Sequence, residues 1–181
     1  MKWVEAIPAS NKSCGSCSLC CKLFDIDWLD KPKPAGKWCH HCLPGRGCTI
    51  WETIPDRCAS YYCVWRLDPE LAPEWRPDVA RFILTHAHQD APLAVLVDPG
   101  FPDAHRREPY RSELAKTARG ILEGRGSTIV VFRGKQRSLL FPDCEIPIPE
   151  GVELHEIRIE RREFSTGPQW RPNFAGVGSA A

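Results

Sequence analysis

Apolar and polar residues follow two different regimes along this chain. From residue 79 onward they are ordered. VARFILT (79–85) and APLAVLVD (91–98) are short runs rich in branched and aromatic residues, which predicts two strands. In EPYRSELAKTARGILEGRG (108–126), Tyr110, Leu114, Ala118 and Ile121–Leu122 recur on one face. That period predicts a helix, ended by Gly124 or Gly126. STIVVFRG (127–134), RSLLFPD (137–143) and VELHEIRIERREF (152–164) return to the strand pattern, with Leu154, Ile157 and Ile159 set among charged residues in the last. The order β-β-α-β-β-β predicts an α+β fold, a small and mainly antiparallel sheet with one covering helix.

Before residue 67 the periodicity disappears. KPKPAGK (31–37) and LPGRG (43–47) are turn formers, and only PDRCASYYCVW (55–65) suggests a short helix. The pattern divides the chain into a loose N-terminal lead (1–13), a loop-rich cysteine-cluster module (14–66), a small α+β module packed on it (67–165) and a flexible Gly/Pro-rich tail (166–181). RLDPELAPEWRPD (66–78) reads as a linker or an edge loop.

Charge narrows the classes of partner. Lys and Arg total 24 against 23 Asp and Glu, a net charge of +1, so nothing points to nucleic acid or an anionic membrane. MKWVEAIPASNKSC has no apolar core of a secretory signal, and the longest apolar run, 91–97, is too short to span a bilayer. The expectation is a soluble, cytoplasmic protein.

Cysteine changes the picture most. Nine of the ten lie between residues 14 and 63: Cys14, Cys17, Cys20, Cys21, Cys39, Cys42, Cys48, Cys58 and Cys63. A secreted chain would use them as a disulfide framework, whereas in a reducing compartment crowded thiols are more often metal ligands. The vicinal pair Cys20–Cys21 is poorly suited to bridging itself, while CxxC pairs suit two thiolates turned toward one ion. All nine are candidate metal ligands. Bound metal would supply the stability that a loop-rich segment cannot obtain from packing.

Two metal readings fit. In the zinc reading Cys14/Cys17 and Cys39/Cys42 are two knuckles separated by twenty-one residues. His40 and His41 could replace thiolates but read more simply as polar turn residues. In the iron–sulfur reading Cys14, Cys17 and Cys20 match the first three ligands of a bacterial ferredoxin run. The match breaks at Cys21, so a distant cysteine such as Cys48 or Cys58 would complete the cluster. Zinc is favoured, with iron or an iron–sulfur cluster as the alternative.

CGSCSLCC (14–21), followed by KPAGKWCHHC, RGCTIWETIPDRC and YYCVW, resembles the CxxCxxCC cysteine-cluster family, described as zinc- or iron-chelating. The resemblance covers residues 14–66. It implies that Cys14, Cys17, Cys20, Cys21, Cys48 and Cys58 are the shared cysteines, and that Cys39, Cys42 and Cys63 are additions of a subgroup. The chain departs from the family at Ile54, where Arg is common before Pro55, and at Ala59, where Arg is common after the cysteine. Relatives of the pattern include a flagellin lysine methylase, but no catalytic residue is identified in this chain.

Weaker signals remain. THAHQDA (85–91) is similar to the His-x-His-x-Asp-His motif of metallo-β-lactamase-fold hydrolases, but Ala91 stands where the last His belongs. It reads as a strand leading into a turn, with His86 and His88 on one face of an extended segment. HRREPYR (105–111) reads as a solvated basic face. Cys144 reads as a small buried residue and not as a nucleophile. Three functions follow, in order: a structural or chelating metal module that presents a surface to a protein partner, a redox or enzymatic iron–sulfur protein, and a thiol redox sensor.

Overall fold

In the computed structural model, which describes residues 11–86, 92–165 and 167–174, regular structure in the N-terminal part comes in pieces of one turn. Helix α1 is Cys20–Leu23. A two-stranded hairpin follows, β1 (Cys42–Leu43) and β2 (Gly47–Cys48), with Cys42 opposite Cys48. The helical signal of 55–65 resolves into two turns, α2 (Asp56–Ala59) and α3 (Val64–Leu67), separated at 60–63. Such short segments bury too little to be stable alone, so contacts elsewhere must hold them.

The segment expected to be a linker or an edge loop, 66–78, sends Trp75 into the core, with Leu71 and Ala72 packed against it. Pro73 opens a 3-10 turn and Pro77 opens α4 (Pro77–Ala80), where a missing N–H costs nothing. Trp75 is buried and meets Phe82 and Tyr110 edge-on, at centroid distances of 6.0 and 5.0 Å. Proline punctuates this stretch by starting helical turns, not by releasing the chain.

The sheet is α+β as the pattern required. Strands β3 (Phe82–Thr85), β4 (Ala94–Val97), β5 (Ile129–Arg133), β6 (Gln136–Leu140) and β7 (Glu145–Pro147) are hydrogen-bonded in chain order. All neighbours are antiparallel except β4 and β5. That parallel pair requires a crossover, which helix α5 (Tyr110–Arg125) provides. Gly126, at φ +63°, caps α5 in the left-handed region and donates its N–H to Leu122 O at 3.1 Å.

One face of the sheet, through Val95, Ile129 and Val131, packs with Leu114 and Ala118 of α5 and also with Leu19, Leu23, Cys63 and Trp65. The cysteine-rich segment and the sheet therefore share one core. The other face, through Val130 and Leu139, packs with Phe141, Ile148, Leu154 and Trp170.

Trp170 corrects a second expectation. Residues 167–174 are not a loose tail: β9 (Gly167–Phe174) pairs antiparallel along its whole length with β8 (Ile157–Phe164). The Gly/Pro content concealed a strand whose Trp170 is 4% exposed. Short β7 also escaped the pattern. Among the described residues no helix is long and apolar enough to cross a membrane.

Candidate metal centre

The octet CGSCSLCC begins as a turn and ends as a helix. The Cys17 N–H donates to Cys14 O at 2.8 Å, so the first CxxC closes as a tight knuckle. Cys20 and Cys21 open α1, and their thiols hydrogen-bond to each other. The second knuckle repeats the first: the Cys42 N–H donates to Cys39 O at 3.0 Å, and the Cys39 N–H is held by Cys21 O at 2.9 Å. Ser18 ties the hairpin down, its hydroxyl accepting the Gly45 N–H at 3.1 Å.

The thiols act on one another in two overlapping neighbourhoods that meet at the Cys20–Cys21 hydrogen bond. Burial pushes the Cys17 thiol up to about 11, and nearby Asp78 and Cys63 add to it. Burial likewise raises Cys63, with Cys14 adding. Cys63, Cys20 and Cys14 all bear on the hydroxyl of Tyr61, which burial already pushes up. Cys14, Cys17, Cys20 and Cys63 thus form the first set. The second is built around Cys21, whose thiol is driven far up by its hydrogen bond with Cys20 and by burial. Burial and the Cys21 sulfur push Cys42 up to about 12, with Cys39 contributing. Burial raises Cys58 too, and Cys21, Cys39 and Cys48 reinforce it.

Cys14 and Cys17 neighbour Cys63, while Cys42 and Cys39 neighbour Cys21.

Three neighbouring donors oppose the rise that burial imposes on the thiols. Trp28 Nε1–H donates to Cys58 Sγ at 3.4 Å, and Arg66 Nη1 lies 3.7 Å from Cys14 Sγ. Lys33 is buried, its ammonium donating to Lys22 O, Phe24 O and Lys37 O. Burial lowers its pKa, and the electrostatic pull of Cys39, Cys21 and Cys20 opposes that fall. A buried cation beside sulfur favours the charged form of the ligand.

Spacing is more open than a closed site. Four thiolates around an ion at about 2.3 Å stand roughly 3.8 Å apart. Among the described residues no three sulfurs all lie within 4.8 Å of one another. The donor chemistry fits a metal, and the thiols would have to turn inward to close on it. All ten cysteines are free thiols. Cys144 stands apart, half-buried beside Asp143 at 3.6 Å.

Other expected positions separate. The His86 ring faces Pro92 O at 2.6 Å, and His88 lies outside the described residues. HRREPYR is not wholly solvated, because His105 is 1% exposed. His105 Nε2 lies 3.0 Å from Glu145 Oε2, and Ser138 Oγ donates to Glu145 Oε1 at 2.5 Å. The carboxylate stands between hydroxyl and imidazole. A nucleophilic triad needs the imidazole in the middle, so these three residues are a structural network. An apolar cleft of about 340 Å³ between the cysteine segment and the sheet, lined by Phe24, Leu96 and Phe132 among others, holds Asp25 as its one ionisable residue. The site that sequence reasoning passed over is Asp30 with His40 and His41, whose ligand atoms lie within 4.8 Å of one another. Its signal was present in the two adjacent histidines inside the second knuckle. No family model, curated protein or solved structure matches the chain in comparisons with known proteins.

Proposed function

We propose that this chain is a metal-binding protein, a zinc- or iron-chelating cysteine-cluster domain in which bound metal organises the N-terminal half, working in the reducing environment of the cytoplasm. The observation that carries the reading is nine free thiols crowded between residues 14 and 63, with two hydrogen-bonded CxxC turns among them. Zinc is the favoured ion, since sites filled with thiolates serve it structurally and leave no open position for chemistry. Trp51 and Leu43, exposed beside this region, leave apolar surface for a protein partner.

One observation favours an iron–sulfur reading as the alternative. Cys63 neighbours Cys14 and Cys17, so the fourth donor to the ferredoxin-like run would be Cys63 and not Cys48 or Cys58. A thiol redox sensor would release its metal reversibly on mild oxidation.

Elemental analysis and a visible spectrum, on protein purified without oxygen, test the proposal. Colourless protein carrying zinc supports the structural role. Brown protein carrying iron and sulfide moves the reading to the cluster. Cys17→Ser and Cys20→Ser should each lower the bound metal, and Cys144→Ser should leave it unchanged. Equal metal in all three variants would remove the ligand assignment.

A further inference from the structure

The second knuckle has two sides. Its hydrogen bond from the Cys42 N–H to Cys39 O makes His40 and His41 the outer corner of the turn. Cys39 and Cys42 are buried at 7% and 8% exposure, so the thiols face in and the imidazoles face out. The corner is fixed from behind, because Thr49 donates both its N–H, at 2.8 Å, and its hydroxyl, at 3.1 Å, to His41 O.

Asp30 comes from a different loop to meet this corner. Its Oδ1 lies 3.2 Å from His40 Nε2 and 3.5 Å from His41 Nε2. Ligand atoms bound at about 2.0–2.1 Å around a tetrahedral ion stand roughly 3.3–3.4 Å apart, a figure that follows from zinc–nitrogen and zinc–oxygen bond lengths. The two observed separations bracket that value. The two rings are in contact, 3.9 Å between centroids and tilted by 49°.

We propose that Asp30, His40 and His41 form a divalent-cation site separate from the thiolate sets. Two imidazole nitrogens and one carboxylate oxygen select a borderline transition ion such as Zn²⁺, Ni²⁺, Co²⁺ or Fe²⁺ over Mg²⁺ or Ca²⁺. Three protein ligands leave a fourth position for water or an incoming ligand. The site is open to solvent on that side, with 66% of the Asp30 side chain exposed. It uses no sulfur, so it stands whether or not the thiols hold metal.

The test is zinc binding to the full chain under reducing conditions, read by equilibrium dialysis and by the ring ¹⁵N resonances of His40 and His41. Wild type should bind one more equivalent of zinc than Asp30→Asn and than the double variant His40→Gln/His41→Gln. The Nε2 resonances of both histidines should shift with that equivalent, while Mg²⁺ leaves them in place. Asp30→Asn keeps the size of the side chain, and its circular dichroism checks the fold. Equal zinc stoichiometry in wild type and both variants, or imidazole resonances unmoved by zinc, would overturn the site and leave a hydrogen-bonded surface cluster. Metal content unchanged in the cysteine variants, with this equivalent intact, would sink the thiolate reading alone.

Discussion

Glu145 gathers His105, Ser138, Arg106 and Arg133 around one carboxylate. Burial by itself would raise its pKa. Hydrogen bonds from His105, Ser138 and Arg106 outweigh that cost and bring it down to about 2. Because the folded value lies below the unfolded one, the stabilisation is full above pH ~4.5 and fades as pH falls toward ~2. Its size is about 3 kcal/mol. Unfolding free energies of wild type and Glu145→Gln, measured across that range, should differ most near neutrality and converge at the acid end; a gap independent of pH would contradict the linkage. This network was invisible in the sequence, since forty residues separate His105 from Glu145. The nine crowded cysteines, in contrast, were legible as candidate ligands from spacing alone. Which sulfur neighbours which was not, because that depends on the direction each leaves its turn.

At the scale of elements, the helix and the strands before it were readable because each carries its own period. The β8–β9 hairpin was half readable. β8 alternates, but β9 contains Gly167, Pro168 and Pro172, residues that weaken any strand prediction. Pairing along eight positions and burial of Trp170 against the second core decide the matter. Arg119 of α5 lies over the same indole at 5.7 Å. Trp170→Ala should therefore lower stability by about 3–5 kcal/mol, the usual range for a buried large aromatic. Chemical denaturation would measure it. A change under 1 kcal/mol would mean that the hairpin is peripheral.

For the whole molecule, the question is what fastens a loop-rich segment to a sheet. Part of the answer is apolar, the shared core of Leu19, Leu23, Trp65 and Val95. Part is an ion pair: Lys22 of α1 reaches Asp98, just past β4, at 2.6 Å, and Asp98 is 3% exposed. Asp98 Oδ1 also accepts the Gly100 N–H at 2.9 Å. Removing one partner of such a pair leaves the other charge uncompensated, so Asp98→Ala should cost about 3 kcal/mol. Proteolysis should then strike first within residues 14–66. Unchanged protection there would show that apolar contact alone is sufficient. By itself, the sequence determined the α+β class, the single long helix with its glycine stop, and the concentration of thiol chemistry before residue 64, because local period, turn chemistry and composition act over a few residues. Only the tertiary structure decided that Trp75 of the proline-rich segment 66–78 joins the core, that 167–174 is a strand, that the second knuckle hangs from Cys21 O, and that Asp30 meets His40 and His41. Those outcomes depend on contacts between distant parts of the chain, and no local pattern records which distant surfaces will meet.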